Sequence, residues 1–159
     1  MSITENLIYD RTQADVNRWT ALKNKGYSAM SDAEKTEWNA GMRGAYTPYI
    51  DYNRVETAVK ALSELLGALG YDTAMTSKTD WALTDIPTQE DLTRYLDNIS
   101  KIRSLFTAAE STPAVPLDMS FLTWQEANDI EKILADTEHA IKRMLLSFWN
   151  SGESRSGEI

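Results

Sequence analysis

The sequence predicts an all-α fold: an antiparallel three-helix bundle of long helices, with an N-terminal pair of shorter helices. Three observations carry that expectation. Apolar residues recur at alternating spacings of three and four along three long stretches, Ser or Thr followed three residues later by an acidic residue opens several of the helices, and strand-like alternation is scarce. At 159 residues, 42% hydrophobic and 25% charged, the chain is the size of one domain, expected as residues 1–150 followed by an exposed tail over 151–159.

Thr12 precedes a first helix over 12–25, in which Ala14, Val16, Trp19 and Leu22 share a face and Gly26 stands where a left-handed terminus belongs. Ser31 and Glu34 form a capping box for a short helix over 32–40 that stops at Gly41. The stretch 44–52 contains Pro48 and three tyrosines, and Asp51 is placed to cap a long helix over 52–69. Its seam is Val55, Val59, Leu62, Leu66 and Leu69, and Gly70 ends it.

Residues 72–87 read as a loop carrying Trp81. Thr88 and Asp91 then start a helix over 89–108, with a stripe of Leu92, Tyr95, Leu96, Ile99, Ile102, Leu105 and Phe106. Pro113 and Pro116 exclude a helix from 111–120. Thr123 with Glu126 opens the last helix, 124–149, which keeps the four-three rhythm through Ile130, Leu134, Thr137, Ile141, Met144 or Leu145, and Phe148. Leu65 and Ala68 on one helix, and Leu145 beside Met144 on another, widen the apolar face and leave room for a homo-oligomer.

Composition removes several chemistries. Cysteine is absent, so thiolate metal sites, disulfides and cysteine nucleophiles are excluded, and His139 is the sole imidazole. The net charge of -8 disfavours nucleic acid and anionic membrane as main partners, and all of the acidic excess lies beyond residue 50. No apolar run is long enough for membrane insertion, and the first ten residues lack the pattern of a signal peptide. Asp136 and His139 share a helix face, but a metal needs more ligands than these two. The carboxylate pairs Glu126/Asp129 and Glu90/Asp91 suit helix first turns better than acid–base work. No glycine-rich phosphate loop or activated serine is present, so no catalytic residue, metal or cofactor is expected. The aromatics that remain as a candidate interaction surface are Tyr46, Tyr49, Tyr52, Trp81 and Trp149, whereas Trp19 is expected to pack inside.

The order of motifs adds a resemblance. Tyr9-Asp10-Arg11-Thr12-Gln13-Ala14-Asp15-Val16 is followed by Met30-Ser31 through Trp38, Gly41, Gly44-Ala45-Tyr46 and Asn53-Arg54-Val55-Glu56. Lys78-Thr79-Asp80-Trp81, Asp85-Ile86-Pro87-Thr88 with Asp91, Arg94-Tyr95-Leu96 with Asn98, and Leu122 through Glu131 come next. Trp149 and a doubled Ser-Gly-Glu close the set. Together they resemble a helical module of tail-associated structural proteins from phages and prophages of Gram-positive bacteria. That resemblance implies a non-enzymatic virion component whose partners are other virion proteins, located in the virion or in the bacterial cytoplasm before assembly. Two other readings stay open: a carbohydrate- or cell-wall-binding module that stacks sugars on Tyr46, Tyr49, Trp81 or Trp149, and an acidic regulator that binds a host protein.

Overall fold

A computed structural model describes residues 2–105 and 109–151 and the backbone of 152 and 153; the expected helical residues 106–108 and residues 154–159 of the expected tail lie outside the described residues, whereas 151–153, also expected in the tail, continue the last helix. Among the described residues the chain is all-helical: α1 (Gln13–Lys25), α2 (Asp32–Asn39), α3 (Asn53–Ala68), α4 (Gln89–Leu105) and α5 (Trp124–Glu153), with a 3-10 turn at Tyr27–Ala29 and a π-helical turn at Pro48–Tyr52.

The local signals act as their chemistry requires. Thr12 with Asp15, and Ser31 with Glu34, form reciprocal capping boxes. Asp91 accepts from the backbone N–H and hydroxyl of Thr88, and Glu126 does the same for Thr123. Gly26, Gly41 and Gly70 hold φ of 78°, 90° and 88°, the left-handed region that ends a helix without a Cβ clash. Asp51 departs from its expected role. It lies inside the π turn and bends back to accept from the Thr47 N–H at 2.6 Å, while its other oxygen faces two arginines, so it does not cap α3.

The core is the set of stripes read from the spacing. Val55, Val59, Leu62 and Leu66 of α3 meet Tyr95, Leu96, Ile99 and Ile102 of α4 and Ile130, Ile133, Leu134 and Ile141 of α5, and each long helix touches the other two. Their direction differs from the antiparallel expectation. After α3, the segment 72–81 runs back along it: Thr73 and Ser63 exchange hydrogen bonds, the Lys78 N–H donates to Glu56, and the Trp81 N–H donates to Asn53 at the start of the helix. The other side of the same strap takes Lys101 at Ala74 and both Asn98 and Arg94 at Thr76. Thus α4 follows the direction of α3. So does α5, since Arg54 meets Glu131 near the starts of α3 and α5 while Tyr71, just past α3, reaches Met144.

The physical reason is reach. The sixteen residues from 72 to 87 can span about 50 Å when extended, roughly twice the ~24 Å length of a sixteen-residue helix. Such a connection can carry the chain back to the starting end, and its polar anchors on α3 and α4 make that route favourable.

One glycine is fixed by close approach. A Cβ on Gly44 would run into the Asp15 carbonyl and the Val16 N–H at the first turn of α1. Gly44→Ala is therefore expected to cost about 1–3 kcal/mol by pushing α1 outward, read as a lower urea midpoint. An unchanged midpoint would mean that α1 yields freely at this contact.

Candidate interaction faces

The five aromatic residues of the expected surface separate into two groups. Trp81 is 3% exposed and Tyr52 8% exposed, so neither is available to a partner. Their rings pack at 5.7 Å edge to face, and Tyr52 also lies 4.9 Å from Tyr95, whose hydroxyl pairs with that of half-buried Tyr46 at 2.7 Å. Burial, aided by the Asp51 and Glu56 carboxylates, pushes the Tyr52 phenol up to about 12. Large apolar area draws such rings inward wherever the polar atom finds a partner, and the Trp81 indole N–H finds Glu56 at 3.1 Å. Tyr49 and Trp149 are the exposed pair, at 50% and 73%. Trp19, expected inside, is only half-buried.

Trp19 and Tyr49, with Trp38, line a cleft of about 350 Å³ between the N-terminal helices and the start of α3. Arg54 and Asp85 are polar groups of its lining, and Trp38 joins it from a two-turn helix too short to show an apolar stripe in the sequence.

Below this cleft lies a cluster of charges that periodicity cannot reveal. Arg11 donates to Glu131 at 2.7 Å and to Asp51 at 3.2 Å, and Arg54 donates to the same two carboxylates, both at 2.7 Å. Glu131 also accepts the Ile8 N–H at 2.6 Å, and Asn128 exchanges hydrogen bonds with the Arg11 backbone. The Arg11 guanidinium sits 5.3 Å over the Tyr46 ring. Burial works against the charge of Arg54, but Glu131 and Asp51 outweigh it and raise its pKa. A second cluster centres on Glu56, which accepts from Arg94 through both guanidinium nitrogens, from Trp81 and from the Lys78 backbone. Both clusters join elements far apart in sequence, so they act as fasteners of the fold.

A third clip holds the N-terminus. Glu138 accepts from the Ser2 hydroxyl, the Ile3 N–H at 2.9 Å and the Thr4 N–H at 3.1 Å, and pairs with Lys142 at 2.8 Å. Burial pushes this carboxyl up, but Lys142, the Ser2 and Thr4 hydroxyls and the Ile3 N–H outweigh it and hold the pKa at about 2, down from an ordinary 4.5. Because the folded value is lowered, the stabilisation is full above about 4.5 and is lost as pH falls toward about 2. The Thr4 amide proton shift, followed by NMR, is expected to titrate near the lower value; a midpoint near the upper one would mean the clip is open.

Asp136, which shares a helix face with His139, is taken by Lys132 and the Thr112 hydroxyl. Among the described residues no group of three or more acidic or imidazole side chains is placed to hold a metal ion, and no helix is long and apolar enough to cross a membrane.

The last face is the end of α5. At thirty residues this helix is about 45 Å long, nearly twice the length of α3. Ile141 is its last buried apolar residue, and beyond it Leu145, Leu146, Phe148 and Trp149 are exposed. Phe148 and Leu145 continue the face of Ile141 at i+7 and i+4, so the core seam runs out past the helices that cover it. A shallow groove beside it is formed by Leu69, Gly70, Tyr71, Met144, Leu145 and Phe148. No known family model, curated protein or solved structure matches this chain.

Proposed function

We propose that this protein is a non-enzymatic, tail-associated structural component of a phage or prophage, acting through protein–protein contacts with other virion proteins. The observation that carries the reading is the end of α5, where an apolar seam leaves the core and presents Phe148 and Trp149 to solvent. Contiguous apolar surface of this kind marks a contact site. The motif resemblance adds support, because its members Arg11, Arg54, Glu56, Trp81, Arg94 and Glu131 belong to the two charge clusters, which Asp51 outside the motifs completes, so what is shared would be the framework of the fold. Mass spectrometry of particles released on prophage induction tests it. Peptides of this chain at a fixed ratio to a tail protein are expected, and particles formed without it would overturn the proposal.

The cleft lined by Trp19, Trp38 and Tyr49 favours one second reading, a site for cell-wall carbohydrate, with the sugar faces on these rings in place of the buried Trp81. Titration with cell-wall fragments is expected to change tryptophan fluorescence, and Tyr49→Ala to weaken that change. A flat signal at millimolar ligand would remove this reading.

A further inference from the structure

The cleft lined by Trp19, Trp38 and Tyr49 collects hydrogen-bonding groups that the fold leaves unused. The indoles of Trp81 and Trp124 donate to Glu56 and Gln13, but among the described residues the indole N–H groups of Trp19 and Trp38 and the Tyr49 hydroxyl have no such partner. Arg54 lines the same cleft. Its Nε and Nη2 donate to Glu131 and Asp51, whereas Nη1 and its two N–H groups meet no acceptor among the described residues. No buried side-chain polar atom lacks a partner among those residues, so the spare groups of half-buried Trp19, Trp38 and Arg54 keep contact with solvent. Lys23 covers one face of Trp19 at 4.9 Å, while Trp38 and Tyr49 have no ring or cation contact among the described residues.

The charges around the cleft are balanced within the molecule. Arg43 pairs with Asp10 and Asp85 with Lys78, and the guanidinium groups of Arg11 and Arg54 face the two carboxylates of Asp51 and Glu131. That balance narrows what the cleft can take. A wholly apolar molecule would strip water from Arg54 Nη1 and the indole N–H groups and return no acceptor to them. An anion or a cation would give up its hydration to a lining with no net charge to offset the loss. A ligand with flat apolar faces, oxygen acceptors at its edge and no charge incurs neither cost. A sugar ring has that combination, with C–H groups on its faces and hydroxyls around its rim.

We propose that the cleft binds an uncharged saccharide, stacked on Trp38 and Tyr49 and accepting hydrogen bonds from Arg54 Nη1 and the Trp38 indole N–H. The inference rests on the carbohydrate reading of this cleft and narrows it to neutral sugars, setting aside wall polymers that carry phosphate or carboxylate.

The test is titration of the full chain, followed by tryptophan fluorescence and calorimetry, with sugar trimers up to millimolar concentration. The probes are neutral trimers of N-acetylglucosamine, glucose and galactose, an acidic galacturonate trimer and a cationic glucosamine trimer. A neutral trimer should saturate the signal, with a Kd insensitive to added salt and at least about tenfold below that of either charged trimer. Tyr49→Ala and Trp38→Ala should each weaken that binding by about tenfold with unchanged helix content, and Trp38→Phe, which keeps a ring and loses the donor, by less. Trp149→Ala, at the end of α5, should leave binding unchanged. Tighter, salt-sensitive binding of a charged trimer overturns the proposal and keeps the carbohydrate reading. Binding that survives both Tyr49→Ala and Trp38→Ala puts the sugar elsewhere and overturns it as well. A flat signal with every probe overturns it together with the carbohydrate reading, and the virion reading, measured on particles, is untouched.

Discussion

Replacing Glu131 with alanine is expected to destabilise the protein by about 3–5 kcal/mol, the cost of breaking a buried ion pair from one side. Glu131 is fully buried and accepts from two guanidinium groups and from the Ile8 N–H. Without it, Asp51 is the one carboxylate left to Arg11 and Arg54, and the N-terminal segment loses one of its anchors to α5, between those at Asn128 and Glu138. Urea unfolding at neutral pH should show a much lower midpoint. Glu37→Ala, which removes the exposed partner of Arg18, should leave the midpoint almost unchanged and serves as the comparison. A loss for Glu131→Ala as small as that for Glu37→Ala would mean that water reaches the cluster and solvates the two arginines.

Glu56→Ala should be nearly as costly, about 3 kcal/mol, but with a local signature. Its carboxylate joins α3, α4 and the returning strap at one point, through Arg94, the Trp81 indole and the Lys78 N–H. Removing it leaves a buried indole N–H unpaired and frees Arg94 to turn outward, since that side chain is already partly exposed. Amide exchange over 76–82 should accelerate more than exchange in the core of α5. Equal acceleration everywhere would mean that the strap is held by Asn53 and Ser63 without help from Glu56.

The aromatic residues show where reading one chain fails. Tyr46, Tyr49, Tyr52, Trp81 and Trp149 are indistinguishable as exposed or buried when each is viewed in its own neighbourhood, because a ring in a loop or at a helix end has too little periodicity around it to place it. Trp81 is buried since Glu56 and Asn53, more than twenty residues earlier, offer its indole and backbone N–H their acceptors. Trp149 is exposed since α5 outlasts the helices beside it. Phe148 fits the core pattern equally well and is also left outside, because the stripe records which face is apolar and carries no information about how far its cover extends. The charge clusters were invisible for the same reason: Arg11, Asp51, Arg54 and Glu131 look like ordinary surface charges until the fold brings them together.

The helices themselves, their caps, the glycine stops and the core stripes of α3, α4 and α5 follow from residues within a few positions of one another. Hydrogen bonds across three or four residues and side-chain repeats of one or two turns are local interactions, so the sequence alone determined them. The common direction of the long helices and the strap over 72–81 were decided only in the tertiary structure. Those features depend on which acceptors a twenty-residue connection meets on its way, and pairings such as Arg54 with Glu131 or Trp81 with Glu56 join residues too distant in the chain for any local pattern to encode.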